Sequence, residues 1–221
     1  MSLSGAAVFG SLAALSTVIV PARIQPAFPI LPFLRFDPAE VLVVLAFLIF
    51  GPVSAVIAAI VHWIFLTLTA TGSTGALGPA VKFVSVLSTL FGLWLGSIVY
   101  RRLLGTFRRT WAVLALMLVF AALARVGLLI VVNYWVFTYV GPVIFNIDYI
   151  QFSQVTLQAT LGVQFATPWN VLMAMLLYTS VFNALHAAFS VAVPYVIFAP
   201  LSLKVPEIAS GHPWISRFTS K

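Results

Sequence analysis

Cysteine is absent from the chain. Disulfides and thiolate metal sites are therefore excluded, and nothing follows about the redox state of the compartment. Charge is nearly absent too. Only 7% of the 221 residues are Asp, Glu, Lys or Arg, against about 25% in a soluble domain. A water-soluble fold with so few charges could not cover its own surface. The motifs of common catalytic chemistry are also missing. There is no HExxH, no P-loop and no GxGxxG, and serine, histidine and aspartate are not spaced as a nucleophilic triad. The residues thus point away from an enzyme, and any coupled ATP hydrolysis would come from other subunits. No internal repeat is evident, which argues against a transporter built from inverted halves. The N-terminus has no basic n-region and no clear cleavage site, so its first apolar stretch is expected to be retained.

What is present is apolar: 62% of the residues are hydrophobic. At about 20 residues per crossing there is room for roughly five to seven spans and no sizeable soluble domain. The expected fold is an all-α integral membrane protein with six transmembrane helices, near residues 3–20, 39–50, 53–70, 80–100, 111–139 and 168–198. Residues 1–200 form one domain and 201–221 a short tail. The second helix is short enough to lie partly within the protein or to start below the membrane surface. Gly51-Pro52 marks a tight turn. Proline density disfavours helix in the apolar loop 21–38, which should pack onto protein or the membrane surface. A short helix is expected near 149–161, Pro168 suits the first position of the last span, and Pro194 is placed to kink it.

The net charge of +7 comes from 11 Lys and Arg against 4 Asp and Glu. The basic residues cluster where topology explains them better than nucleic acid does. Arg101, Arg102, Arg108 and Arg109 put the loop between the fourth and fifth spans in the cytoplasm. Both termini are then cytoplasmic, in agreement with Lys204, Arg217 and Lys221. Loops 21–38, 71–79 and 141–168 fall together on the outside and suggest the mouth of a binding cavity.

Four segments carry a resemblance. They are residues 28–52 (FPILPFLRFDPAEVLVVLAFLIFGP), 71–84 (TGSTGALGPAVKFV), 133–137 (NYWVF) and 168–172 (PWNVL). In this order, within a six-helix layout, the chain resembles the substrate-binding S components of energy-coupling factor (ECF) transporters, most closely those specific for riboflavin. The resemblance implies a subunit of a prokaryotic plasma membrane that captures riboflavin or a related flavin from outside, with the outer loops as a lid. It also implies a transmembrane coupling subunit and two cytoplasmic ATPases as partners. Riboflavin would be cargo rather than a cofactor. Two positions depart from the family: Met173 stands where a lysine is usual, and Lys82 where an asparagine is usual. These keep another vitamin or precursor open, including an anionic one.

Asn133 and Asn170 donate and accept hydrogen bonds without charge, which suits a neutral ligand with alternating donors and acceptors. Tyr134, Trp135, Trp169 and Phe36 could stack on a planar ring, although Trp and Tyr also gather at membrane interfaces. Thr74 and Gly75 could approach a ligand through their backbone, or Gly75 could simply serve a turn. Glu40 and Lys82 complete the candidate ligand contacts. Arg125 lies near the bilayer centre and needs a partner. Glu40 is the acidic candidate within a span; it is easier to place against Lys82 than against Arg125, and both pairings stand as expected structural ion pairs. His62 and His186 lie inside spans, where a satisfied core histidine is the plain reading. The alternative from another class uses both histidines, with Glu40 and Arg125, in an intramembrane enzyme or haem protein. A structural or assembly protein without a ligand is the third. Ala6, Gly10 and Ala14 align every four residues on the first helix. In the resembled family such a strip docks the coupling subunit; it could equally serve internal packing.

Overall fold

Proline and glycine punctuate an otherwise continuous apolar sequence, and the helices start and stop at them. The computed structural model describes residues 3–21, 24–70, 75–103, 110–204 and 213–218. In it α1 (Leu3–Ile19) ends just before Pro21, and α2 (Ala39–Phe50) begins after Pro38. α3 (Pro52–Thr69) begins on a proline, whose missing N–H is no loss at a first helical position. Between α2 and α3, Gly51 adopts φ +95°, which a side chain would resist. α4 spans Leu77–Leu103. α5 (Thr110–Trp135) passes directly into a π-helical stretch, Val136–Ile144. α6 (Tyr149–Leu161) is capped by Asp148, whose carboxylate accepts from Gln151 N–H at 2.9 Å, and ends at the left-handed Gly162. α7 (Pro168–Lys204) starts on the expected proline and continues through Pro194 and Pro200, past the end expected near 198. A 3₁₀ turn, Trp214–Phe218, follows. Among the described residues there is no strand, only an isolated antiparallel bridge between Ala27 and Arg35.

Four segments are long and apolar enough to cross a bilayer: Pro52–Thr69, Leu77–Leu103, Ala112–Ile144 and Pro168–Pro200. The chain is a membrane-embedded helical protein. α1 and α2 are shorter, with 17 and 12 residues, so the six-helix expectation resolves into four full-length spans and two short apolar helices. At 1.5 Å per residue α2 reaches only about 18 Å, against a hydrocarbon core of roughly 30 Å. A short helix that is apolar all round belongs in a protein interior. α2 sits there, packed by α1, α3, α4 and α7 and by the 3₁₀ turn, with ten of its twelve residues buried. Trp214 closes its lower end, edge-on to Phe47 at 4.8 Å.

Small residues set the closest helix approaches. Gly92 and Gly96 on α4 face α5, where a Cβ on Gly96 would come within 2.7 Å of Met117 Cα. Ala6, Gly10 and Ala14 on α1 are buried. A Cβ added to Gly10 would lie 2.9 Å from Val61 Cβ and 3.2 Å from Ala58 Cα. At Gly10 the small strip of α1 is therefore already covered by α3 of the same chain, as its internal-packing role expects. The outward face of α1 carries Leu3, Val8, Leu12, Leu15 and Val18, all exposed as lipid contact demands.

Two apolar clusters divide the interior. One gathers α2 with the second half of α4, the first half of α5 and the later part of α7, including Phe47, Leu93, Met117 and Val191. The other joins the loop after α1 to the π-helical stretch, α6 and the first half of α7, including Leu31, Phe137, Leu157 and Met175. The proline-rich loop is thus part of the core. Phe28 N–H donates to Leu34 O and Phe36 N–H to Pro26 O, closing a narrow hairpin. Phe28 and Phe36 both pack on Phe182 of α7.

Candidate functional site

Along α7, Thr179, Asn183, His186 and Ser190 recur at spacings of four, three and four, which puts them on one face of the helix. α4 carries Lys82, Ser85 and Thr89 at three and four, and α5 carries Arg125 and Asn133 two turns apart. These polar faces converge between the two apolar clusters. Arg125 and Glu40 meet there as a bidentate pair, with Nη1 donating to Oε2 at 2.6 Å and Nη2 to Oε1 at 3.1 Å. The remaining donors are also satisfied: Nε donates to Asn183 Oδ1 at 3.2 Å and Nη1 also to Thr89 Oγ1 at 3.1 Å. Ser190 Oγ donates to Glu40 Oε2 at 3.1 Å. Arg125 Nη2 lies 3.1 Å from His186 Nδ1. A guanidinium only donates, so Nδ1 accepts, and the imidazole carries its proton on Nε2. Both members of the ion pair are only 2% exposed at their side chains. Such a pair persists in a low-dielectric interior when its remaining lone pairs and protons are engaged, as they are here.

A second ion pair lies closer to the cavity mouth. Asp37 Oδ1 accepts from Ala39 N–H at 2.8 Å and so satisfies one of the free donors at the start of α2. Its other oxygen pairs with Lys82. Of the two pairings expected for Glu40, the structure shows the one with Arg125 and not the one with Lys82, which pairs with Asp37 instead. The reason is geometric. The hairpin of residues 24–37 descends into the bundle, so the short α2 starts deep, and Glu40 reaches the level of the arginine while Asp37 stays at that of the lysine.

Above this polar floor opens a cavity of about 450 Å³. α4, α5, α7 and the hairpin form its walls, and Tyr149 of α6 stands at the rim. Phe33, Phe137 and Tyr149 form a mutually packed aromatic wall with ring centroids 5.6 to 6.4 Å apart. Burial raises the Tyr149 phenol above its ordinary pKa, which keeps it a neutral hydroxyl. Asn133 is only 6% exposed and lines the cavity. Its side-chain amide makes no hydrogen bond to protein among the described residues, although buried amides normally find one.

The structure brings three of the sequence-nominated ligand contacts to this cavity: Asn133, Lys82 and Glu40. Phe36 stands behind the wall, with its ring centroid 5.0 Å from Phe182 and 5.4 Å from His186. Asn170 is exposed at the start of α7, where its N–H donates to Thr167. Trp169, Trp135 and Tyr134 are 57%, 56% and 38% exposed and do not line the cavity. Gly75 occupies a turn with φ +45° and nothing within 4 Å of the place a Cβ would take. Thr74, Arg108, Arg109 and Lys221 lie outside the described residues. His62 and His186 have separate partners, and His62 Nε2 is 3.0 Å from Thr17 Oγ1. Among the described residues no group of three or more His, Asp or Glu is arranged to hold a metal.

Asp37, Thr89, Thr179, Asn183 and Ser190 were missed by sequence reasoning, as were Gln25 and Arg35 on the hairpin. The signal for the α7 group was present, because its four polar residues recur at helical spacing in a long apolar helix. No equivalent pattern marks Asp37 or Arg35, whose positions depend on the fold of a loop. No family model matches the chain, and neither a curated protein nor a solved structure is similar enough to count as a match.

Proposed function

We propose that this chain is the substrate-capture subunit of an ECF-type vitamin uptake transporter, taking riboflavin or a related flavin from outside a prokaryotic plasma membrane. The observation that carries the reading is Asn133. A buried asparagine with a free amide, aimed into a roomy cavity, is set to exchange its hydrogen bonds with a ligand rather than with protein. The supporting features agree in kind. The cavity volume lies in the range of small-molecule sites, which are apolar with a few placed polar groups. The aromatic wall suits a planar ring. The hairpin of residues 24–37 forms one wall of the cavity, and in this reading it serves as the lid.

In this reading all six predicted helices lie within the membrane layer, α1 and α2 as short ones, and both termini are cytoplasmic. Import is completed by a transmembrane coupling subunit and two cytoplasmic ATPases. Because Gly10 packs on α3 and Ala6 and Ala14 are buried, docking of that subunit uses another face of the bundle.

The test is the absorption spectrum of the purified protein, followed by equilibrium titration with riboflavin, thiamine and biotin. Co-purifying flavin bands and riboflavin binding tighter than micromolar are expected. Riboflavin binding at micromolar strength or weaker counts against a scavenging flavin protein. A haem band instead supports the intramembrane haem protein built on His62 and His186.

A further inference from the structure

The ionisable groups around the cavity do not balance. Arg125 is neutralised by Glu40, and Lys82 by Asp37. One charged side chain lining the cavity is left over, Arg35. It sits on the hairpin, where the bridge to Ala27 fixes its backbone. Its Nη1 donates to Gln25 O at 3.1 Å. The other donors of its five-donor fork meet no protein acceptor among the described residues, and no carboxylate pairs with it there. The guanidinium is half-buried beside apolar walls, which strengthen its field inside the cavity.

From this we infer that the cavity takes a ligand carrying one anionic group, a carboxylate or a phosphate, bound at the mouth by Arg35. The planar fork matches either anion in a bidentate contact. A monoanion makes the site neutral, the condition a low-dielectric pocket favours; a phosphate monoester, at about −1.5 to −2, has one charge met by Arg35 and the rest left to water at the mouth. Lys82, the sequence-level candidate for this task, has its charge met by Asp37, and the anion subsite therefore belongs to the hairpin. The inference rests on the reading of the cavity as a capture site and narrows its substrate class. Among flavins it selects riboflavin 5′-phosphate over riboflavin. An anionic lipid headgroup shares this chemistry and is the competing source of the anion.

The experiment uses the full-length protein in nanodiscs of neutral lipid, with affinity read from quenching of tryptophan fluorescence. Riboflavin 5′-phosphate should bind about tenfold or more tightly than riboflavin, the scale of a hydrogen bond to a charged group. Arg35→Gln should abolish that preference, and Arg35→Lys, which keeps the charge, should retain part of it. A wild-type protein that binds riboflavin as tightly as its phosphate overturns the anion subsite and leaves the capture reading standing. Equal weakening of both ligands by both variants marks Arg35 as structural and overturns the assignment as well. If neither flavin binds, it is the flavin reading that fails. Biotin against biotin amide then tests the anion, and an Arg35-dependent preference for the acid supports it, whereas no preference overturns it. In discs containing phosphatidylglycerol, an unchanged preference assigns the anion to the soluble ligand. Its disappearance there assigns Arg35 to lipid and overturns the ligand subsite.

Discussion

At the residue scale, the interior sorts its polar groups into satisfied and available ones. Arg125 is surrounded by acceptors from three other helices, while Asn133, about 12 Å further along the same helix, has none from the protein among the described residues. Asn133→Ala should therefore weaken riboflavin binding about tenfold or more, with little change in thermal stability, because no internal bond is lost. Arg125→Met should act in the opposite way. Leaving Glu40 buried and unpaired costs about 3–5 kcal/mol, and replacing both partners by apolar residues recovers much of that. Melting temperatures of Arg125→Met and of the double variant Arg125→Met/Glu40→Leu check this, and a double variant no better than the single one would remove the pair from the account. The second ion pair makes a cleaner discrimination. Lys82→Met strands the buried carboxylate of Asp37, and adding Asp37→Asn should restore stability. The charge swap between Glu40 and Lys82 should rescue nothing, since those two do not form a pair.

At the scale of elements, small residues and short lengths decide what touches what. Gly10 of α1 lies against Val61 and Ala58 of α3 with no room for a side chain. Gly10→Leu should lower stability by about 1–3 kcal/mol through overpacking, measured as a shift in detergent melting, and ligand affinity should fall with it. Loss of partner assembly with stability and affinity intact would instead show that the strip serves another subunit. Trp169→Ala tests the opposite kind of position. Its ring is more than half exposed at the start of α7 and lies off the cavity, so the riboflavin affinity of this variant should stay within about twofold of wild type, as for surface substitutions in general. The positions of the helices were largely legible in the sequence, because apolar runs bounded by Pro and Gly leave few choices. α6 begins and ends where composition placed it, at Tyr149 and Leu161. What α2 does was less legible. Twelve apolar residues read equally as a short span and as a buried rod, and only the surrounding helices decide between them.

At the scale of the whole molecule, the polar faces of α4, α5 and α7 become one site only after the bundle closes. Asn133 and Glu40 were visible in the sequence because an amide and a carboxylate stand out in apolar helices. The sequence left the partner of Glu40 open between Arg125 and Lys82, because depth along the membrane normal depends on how far the preceding hairpin descends. The aromatic residues misled for a related reason. Trp135 and Trp169 sit at helix ends, and exposure there reflects the membrane interface as readily as a ligand. Phe33, Phe137 and Tyr149, which form the wall, are indistinguishable in sequence from other aromatics of the chain.

The pairing of Glu40 has a consequence for biogenesis. The arginine that neutralises this carboxylate follows it by 85 positions, and the Ser190 hydroxyl that also donates to it follows by 150. During synthesis α2 therefore leaves the ribosome with an acidic group that has no charged partner until α5 has been made. Consolidation of α2 in the bundle is then expected to follow α5 rather than α3. Chains truncated after α4 should remain protease-sensitive in the first half as well as at the cut, even though every residue of α1 to α3 is present.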